Sequence, residues 1–376
     1  MKKIQMVDLQ GQYEKIKSEV DKAVLDVIQS AAFINGPEVK SFQADLEKYL
    51  GVKHVIPCAN GTDALQIAMM GLGLEPGDEI ITADFTYVAT AEVIALLRLK
   101  PVLVDVLPDT FTIDPSAVRK AITPKTKAIV PVHLFGQCVD MDEIMSIAKE
   151  YNLAVIEDNA QAIGANYIFR DGRTQKAGTI GTIGCTSFFP SKNLGCYGDG
   201  GAIFTNDDQL AAKMRMIANH GQSVQYYHDE VGVNSRLDSL QAAILRVKLP
   251  RLDQYAEARR KVADRYDAAF KNHPNISVPV RSSNSDHVFH QYTVVLNNAS
   301  RDELRKFLAT KEIPAMIYYP VPLHLQKAYR DDRYSSGSFP VTEHLCANVI
   351  SFPIHTEMRE ETQDFIIENV LAYFKK

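Results

Sequence analysis

The stretch Ser187-Phe-Phe-Pro-Ser-Lys192-Asn-Leu-Gly-Cys-Tyr-Gly-Asp-Gly-Gly201 places one lysine between an apolar run and a glycine-rich loop. Four glycines fall within seven residues, and the chain then continues as the apolar segment Ala202-Ile-Phe-Thr205. An apolar flank desolvates an ammonium group, which lowers its pKa and frees the amine to attack a carbonyl carbon. Glycines allow a bulky group to approach the backbone closely. The stretch therefore predicts a lysine that forms a Schiff base.

A second segment, Leu153-Ala-Val-Ile-Glu-Asp158-Asn-Ala-Gln161, ends an apolar run with two carboxylates. Such a run predicts a buried parallel strand whose carboxyl end presents an acid, and ligands of open α/β sheets bind beyond those ends. Asp158 can pair there with the protonated ring nitrogen of pyridoxal 5′-phosphate (PLP), and the Gln161 amide can donate to its phenolic oxygen. Taken alone, the two carboxylates fit a helix N-cap with a solvated neighbour equally well.

An anion site is predicted at Asn60-Gly61-Thr62, where the apolar spacing indicates the start of a helix over 62–72. A helix N-terminus presents backbone amides and the positive end of the helix dipole, so it suits the phosphate of PLP. Asn-Gly by itself usually marks only a turn. Further along, Phe85-Thr-Tyr87 follows a predicted strand, and one of its two rings could lie on the pyridine face. For either ring taken singly, core packing is the commoner role.

The order of apolar segments predicts the fold class. The first part of the chain alternates short strands with helices, which is typical of a mainly parallel sheet with helices on both faces. The predicted strands are 54–57, 79–82, 102–105, 128–132, 154–157 and 202–205, and the predicted helices include 62–72, 89–98, 140–151 and 207–219. A charge-rich helix at 253–271 opens a different pattern, with strands at 289–296 and 315–319 and helices at 301–311 and 360–374. We expect a large α/β domain over 1–250 and a smaller α+β domain over 251–376.

Composition argues against several functional classes. With 41 basic and 46 acidic residues, a formal net charge of −5 and no long basic run, the chain lacks the features of a nucleic-acid-binding protein. No run of about 18 apolar residues indicates a membrane span, and the N-terminal residues lack a signal segment. Five cysteines without CxxC spacing fit reduced thiols, and the sequence shows no ligand cluster for a metal. We therefore expect a cytoplasmic protein that uses no metal and does not bind membranes.

Taken in order, Asn60-Gly-Thr62, Asp158-x-x-Gln161, Lys192 and Gly232-Val-Asn234-Ser-Arg236 resemble the PLP-dependent sugar-nucleotide aminotransferases of the DegT/StrS family. The resemblance covers essentially the whole chain and implies PLP fold type I, with a seven-stranded sheet in the large domain. It also implies that Lys192 and Asp158 are catalytic. Asn234 would reach the phosphate bound by the other subunit of a homodimer with shared active sites. The residues implied to bind the cofactor are Gly61, Thr62, Tyr87, Asp158, Gln161, Ser187, Lys192 and Asn234.

The same resemblance implies L-glutamate as amino donor and a nucleotide-linked keto-sugar as acceptor. The lysine loop looks most like members that aminate C3 of UDP-2-acetamido-2-deoxy-3-oxo-D-glucuronate for bacterial surface polysaccharide, including lipopolysaccharide. Members that aminate C3 or C4 of dTDP- or UDP-linked keto-deoxysugars are the alternative. Arg236, Tyr319 and His324 lie in segments that resemble substrate-facing ones, although Arg236 and His324 also fit a surface salt bridge or a polar loop.

Two functions from other classes remain open at this point. One is a non-catalytic protein that binds a sugar nucleotide or acts in regulation, although such a protein gains nothing from Lys192, Asp158 and Gln161. The other is a PLP-dependent lyase or aldolase that acts on free amino acids.

Overall fold

The structure is a computed structural model that describes residues 3–375. In chain order its strands are β1 (His54–Cys58), β2 (Glu79–Ala83), β3 (Lys100–Val104), β4 (Thr126–Val130), β5 (Ala154–Asp158), β6 (Asn166–Ile168), β7 (Thr174–Lys176), β8 (Ile183–Ser187), β9 (Gly201–Thr205), β10 (Gln222–Val224), β11 (Tyr227–His228), β12 (Ile276–Ser277), β13 (Tyr292–Leu296) and β14 (Val349–Phe352). Its α-helices are α1 (Leu9–Ser30), α2 (Pro37–Leu50), α3 (Gly61–Gly71), α4 (Ala89–Leu96), α5 (Pro115–Ala121), α6 (Met141–Tyr151), α7 (Asp208–Ala218), α8 (Ser239–Lys248), α9 (Leu252–Phe270), α10 (Arg301–Ala309), α11 (Pro340–Asn348) and α12 (Glu360–Tyr373). Short 3₁₀ segments lie at Leu134–Gly136, Leu249–Arg251, Leu323–Leu325 and Lys327–Tyr329.

A seven-stranded sheet in the order β1-β9-β8-β5-β4-β2-β3 forms the centre of the larger part of the chain. Strand β9 runs antiparallel to β1 and β8, whereas β8, β5, β4, β2 and β3 pair in parallel. Helices cover both faces because successive strand residues point to opposite sides of a sheet. Ile80 packs with α3 and α4, and its neighbour Ile81 packs with α5 and α6. The predicted α/β class with a mainly parallel sheet is therefore confirmed.

The ends of four strands place the site. Strands β1, β2, β5 and β8 all point in one direction, so the residues that follow them meet at one edge of the sheet. Asp158 is the last residue of β5 and Ser187 the last of β8. Helix α3 begins three residues after β1 ends, and Asp84 directly follows β2.

The C-terminal part has a sheet of its own, the antiparallel β12-β13-β14. Helices α9, α10 and α12 pack against it around the buried rings of Tyr266, Tyr292 and Phe352. Val288 and Leu345 instead join the core of the large sheet, so the two parts of the chain share packed apolar surface. The division at residue 250 stays a prediction.

Two elements differ from the expectation. The strand expected at 315–319 is wrong, because only Met316 forms an isolated bridge, to Ser351. Pro314 and Pro320 bracket that segment and cannot donate to a ladder. Strand β8 was not predicted, since its small and polar residues show no apolar alternation.

Among the described residues, no helix combines the length and apolarity that a membrane crossing requires.

Candidate active site

A cavity of about 670 Å³ opens at the edge where the strands end. Residues from the start of α3, the loops after β2, β5 and β8, and the C-terminal part of the chain form its walls. Eight residues predicted from the sequence line it: Gly61, Thr62, Tyr87, Asp158, Gln161, Ser187, Lys192 and Tyr319. These residues are distant in sequence, so the fold brings one amine, one carboxylate, one amide and one helix N-terminus around a single space.

The lysine is half-buried in the cavity wall. Its backbone N–H donates to the carbonyl of Phe189 at 2.8 Å, which closes the turn that carries it. Burial lowers the pKa of the Lys192 ammonium to about 8, and the negative charge of Asp158 opposes that fall. About a tenth of the amine is therefore neutral and nucleophilic at pH 7.

The carboxylate of Asp158 is buried at the tip of β5 and held by two donors. The Thr90 hydroxyl donates to Oδ2 at 2.8 Å, and the backbone N–H of Ala160 donates to Oδ1 at 3.1 Å. Thr90, in the first turn of α4, was not predicted, because its partner is distant in sequence. These contacts fix the carboxylate in one orientation, as a counter-charge for a ring nitrogen requires.

Behind Asp158, the neighbouring Glu157 points away and is fully buried. Its oxygens accept from the backbone N–H groups of Gly178 at 2.8 Å, Ile180 at 2.6 Å and Gly181 at 2.5 Å. His133 Nε2 lies 2.8 Å from Glu157 Oε2, while Nδ1 accepts from the N–H of Val139. This network anchors the strand tip, and no sequence signal pointed to His133.

The amide of Gln161 has a defined direction. The backbone N–H of Phe135 donates to Oε1 at 2.8 Å, so Nε2, with its two N–H donors, is the end of the amide that faces the cavity. Nε2 donates to the Tyr319 hydroxyl oxygen at 3.2 Å across the cavity. The donor that a phenolic oxygen would need is therefore present.

The start of α3 forms a tight anion cradle. The Asn60 side chain caps the helix by accepting from the N–H of Asp63 at 2.8 Å, and the first helical amides lack intrahelical partners. A Cβ on Gly61 would lie 2.8 Å from Ser187 Cβ, and a Cβ on Gly201 would lie 2.4 Å from the Asn60 carbonyl carbon. Both positions therefore require glycine for the two loops to meet.

The structure separates the two aromatic candidates. Phe85 is only 1% exposed and packs against Phe111, Phe135 and Tyr319. Tyr87 is 56% exposed and lines the cavity. Phe85 is thus a core residue, and Tyr87 alone of the two presents a free ring.

Three predicted residues do not line this cavity. Asn234 is exposed outside it, and Arg236 is half-buried with no hydrogen bond or ion pair found within residues 3–375. His324 is 2% exposed, and its Nδ1 lies 2.6 Å from Asp84 Oδ2. The substrate contact expected of His324 stays a prediction, and in this structure its imidazole faces the buried carboxylate of Asp84. A contact of Asn234 across a dimer stays a prediction.

The sequence did not predict several other residues that line the cavity: Thr86, Ser191, Asp199, His290, Gln291 and Tyr318. Thr86 Oγ1 and His290 Nδ1 are buried polar atoms that find no hydrogen-bond partner within residues 3–375. Burial, with the nearby charges of Lys192 and Arg259, holds the pKa of His290 well below its usual range. The imidazole is therefore neutral beside the lysine.

These observations fit PLP. Lys192 is suited to bind its aldehyde, and Asp158 to pair with its ring nitrogen. Gln161 can donate to its phenolic oxygen, and the start of α3 can bind its phosphate. The family model described as the DegT/DnrJ/EryC1/StrS aminotransferase family matches residues 14–371. The chain belongs to this family.

Curated relatives span nearly its whole length. The UDP-2-acetamido-2-deoxy-3-oxo-D-glucuronate aminotransferase of Pseudomonas aeruginosa is 47% identical over 352 residues, covering 94% of this chain and 95% of that one. A pleiotropic regulatory protein of Geobacillus stearothermophilus is 46% identical over 374 residues, covering 99% of both. Other relatives, at 37 to 42% identity, are named for dTDP-, UDP- and GDP-linked sugars.

Solved structures agree. DesV of S. venezuelae, in complex with a ketimine intermediate, superposes with a TM-score of 0.95 at 38% identity, covering 100% of both chains. A Bacillus subtilis relative with bound cofactor PMP superposes with a TM-score of 0.91 at 31% identity, covering 100% of this chain and 86% of that one. The chain is thus an aminotransferase of a PLP-dependent family, and the expected enzyme class, fold and cofactor are confirmed.

Proposed function

We propose that this aminotransferase moves an amino group from L-glutamate to C3 of UDP-2-acetamido-2-deoxy-3-oxo-D-glucuronate. The observation that carries the reaction type is the half-buried Lys192, with a pKa lowered to about 8, in one cavity with the fixed carboxylate of Asp158. Bound PLP supplies an aldehyde that takes up nitrogen and a ring that withdraws electrons.

The chain's own residues then have distinct tasks. Lys192 holds the cofactor covalently and, once released, its Nζ removes the proton from Cα of the amino donor. In the second half-reaction the same amine returns a proton to the sugar carbon that receives nitrogen. Asp158 would keep a proton on the ring nitrogen, and Gln161 Nε2 would donate to the phenolic oxygen. Gly61, Thr62 and Ser187 would hold the phosphate, and Tyr87 would lie beside the ring.

The choice of sugar rests on the Pseudomonas aeruginosa relative, whose name specifies the uronate. Arg236, a guanidinium without a partner among the described residues, is available to bind the carboxylate of the uronate bidentately, although it could equally bind the diphosphate that every candidate acceptor carries. Relatives named for dTDP- and GDP-linked sugars keep a deoxysugar acceptor as the second candidate. The reaction would take place in the cytoplasm, and its product would be a precursor of bacterial surface polysaccharide such as lipopolysaccharide.

A homodimer with shared sites completes the proposal. The region around the β10-β11 hairpin leaves Val224, Tyr226, Tyr227 and Val231 between 63 and 86% exposed. Exposed apolar patches of this kind mark interaction surfaces. Asn234 lies just beyond this patch, so a partner subunit seated there would receive it near its own phosphate cradle.

Absorbance spectroscopy tests the reaction type. Adding L-glutamate to the PLP-loaded protein should replace the band of covalently held PLP with that of pyridoxamine phosphate, with an equal amount of 2-oxoglutarate. A regulatory protein, as the name of the Geobacillus relative suggests, would leave the spectrum unchanged. A lyase would consume amino acid continuously without a sugar.

The acceptor is tested in the reverse direction, with nucleotide amino sugars and 2-oxoglutarate. The 3-amino uronate should give the highest kcat/KM of a panel that includes its C6-hydroxyl analogue and dTDP-linked 3- and 4-amino sugars. Arg236→Gln should lower kcat/KM for the uronate about 10-fold more than for the C6-hydroxyl analogue if Arg236 binds the carboxylate. Equal losses would instead assign Arg236 to the diphosphate.

A further inference from the structure

Asp84 and His324 form a buried contact that the proposed chemistry does not use. The His324 backbone N–H donates to Asp84 Oδ1 at 2.8 Å, and its Nδ1 lies 2.6 Å from Asp84 Oδ2. The Asp84 carbonyl also accepts from the N–H of Leu323 at 3.3 Å. We call the pair of Asp84 and His324 the Asp84 clasp. It ties the loop after β2 to the C-terminal part of the chain.

A second carboxylate lies on the other side of the imidazole. His324 Nε2 is 3.3 Å from Glu343 Oε1, without the alignment of a hydrogen bond. Glu343 Oε1 in turn accepts from the N–H of Gly337 at 2.7 Å. Buried ion pairs seldom add net stability, because desolvation cancels the attraction. Stability is therefore a weak explanation for a core imidazole that contacts the buried Asp84 and the half-buried Glu343.

Holding the cavity wall in place is a better explanation, because both segments that the clasp joins also form the cavity. Tyr87 lies three residues after Asp84, and Tyr319 lies five residues before His324. Their ring centres are 6.1 Å apart, and the Tyr319 hydroxyl accepts from Gln161 Nε2 at 3.2 Å. His324 is therefore five residues from Tyr319, which contacts both Tyr87 and the Gln161 amide.

We propose that His324 is a positioning residue for transamination: through the Asp84 clasp it holds Tyr319 against Tyr87 as one wall of the cavity. This inference rests on the proposed function, which assigns that wall to the cofactor and substrates. In this role His324 acts through Tyr319, whereas the sequence predicts a direct contact between His324 and substrate.

The first test compares His324→Leu with His324→Asn in the PLP-loaded protein. Leu removes the donor, whereas the Asn amide can take the place of Nδ1–H toward Asp84. His324→Leu should raise the glutamate concentration for half-maximal spectral conversion about 10-fold, since small displacements of binding groups are costly. Amide hydrogen exchange of residues 316–326 should accelerate about 10-fold as well, a readout independent of activity. His324→Asn should restore both values to within about 3-fold of the wild type.

Asp105→Asn is the matched control. Asp105 Oδ1 accepts from the N–H and hydroxyl of Thr342, each at 2.8 Å, so it holds the same C-terminal region but not Tyr319. This variant should melt at a lower temperature yet keep the wild-type glutamate dependence. If it disturbs that dependence as much as His324→Leu does, or if His324→Leu leaves both readouts unchanged, the proposal is overturned.

Should His324→Leu fail to fold, Asp84→Asn provides the same test. It can keep an oxygen acceptor for the His324 backbone N–H, but it removes the charge and replaces the oxygen that faces Nδ1 with an NH2 donor. Both readouts should therefore move in the same direction as for His324→Leu. Unchanged readouts in a folded Asp84→Asn protein refute the role of the clasp. Failure of the proposed function is distinguishable, because the wild type itself would then give no glutamate-dependent conversion.

Discussion

Replacing Asp158 with Asn should have two effects of opposite sign, because this carboxylate acts on both the lysine and the cofactor ring. Burial lowers the pKa of Lys192 to about 8, and the charge of Asp158 opposes that fall. Removing the charge should therefore lower the lysine pKa further and speed its reaction with an aldehyde. The same change removes the partner of the ring nitrogen, so turnover should fall about 100-fold.

The size of the first effect follows from the neutral fraction of the amine. At pH 7, a pKa of about 8 leaves about 9% of Lys192 neutral, against about 0.03% at the ordinary value of 10.5. Burial thus makes the nucleophile about 300-fold more abundant. If the loss of the Asp158 charge brings the pKa to about 7, about half of the amine is neutral, a gain of about 5-fold.

The assay is the rate at which PLP-free protein takes up PLP covalently, followed by absorbance across a pH series. The ratio of variant to wild-type rates cancels the titration of PLP itself. It should be about 5 at pH 7 and should approach 1 above the wild-type pKa, where both lysines are neutral. Thr90→Val is the matched control, because it removes a hydrogen bond to Asp158 but keeps its charge, so its ratio should stay close to 1. A ratio of 1 or less for Asp158→Asn at pH 7 would refute the electrostatic coupling.

Three further outcomes are expected. Lys192→Ala should abolish transamination yet still bind PLP noncovalently in equilibrium dialysis, and near-wild-type turnover would contradict its role. Asn234→Asp should be inactive, because a carboxylate facing a phosphate is repelled. Mixing it with Lys192→Ala should restore activity in heterodimers that hold one intact site. Inactive mixtures with proven subunit exchange would place Asn234 outside the partner's site. Gly201→Ala should weaken PLP binding about 10-fold, because its Cβ would lie 2.4 Å from the Asn60 carbonyl carbon and displace the phosphate cradle; unchanged PLP affinity would show that the two loops can separate without cost.

Local sequence was sufficient to predict several of the residues that line the cavity. Lys192 stands out because an apolar run and glycines flank it, and Asp158 because it ends an apolar run; the fold brings both to one cavity. Gly61 and Thr62 follow from a helix start that the structure places one residue earlier, at Gly61. In each case a short stretch carries both the element and the functional group.

Burial distinguishes two aromatic residues near the end of one strand that the sequence could not separate. Phe85 and Tyr87 are both aromatic and two residues apart, so pattern alone could not tell which ring faces the cavity. The contact between His324 and Asp84 was not predicted for a related reason: the two residues are 240 positions apart, and only the packed core brings them together. Thr90 was not predicted either, because its hydroxyl donates to Asp158, which lies 68 positions later in the sequence. These contacts are tertiary, and no local periodicity encodes them.

Asn234 and Arg236 differ from all of these residues, because nothing within the described part of one chain explains them. Both lie outside the cavity, and Asn234 is exposed next to a hairpin whose Tyr226 and Tyr227 are 81% and 71% exposed. A cluster of solvated aromatic rings suits a surface that a second subunit covers. The complementation of Lys192→Ala by Asn234→Asp is therefore the decisive measurement, since only a shared site lets two inactive chains form an active one.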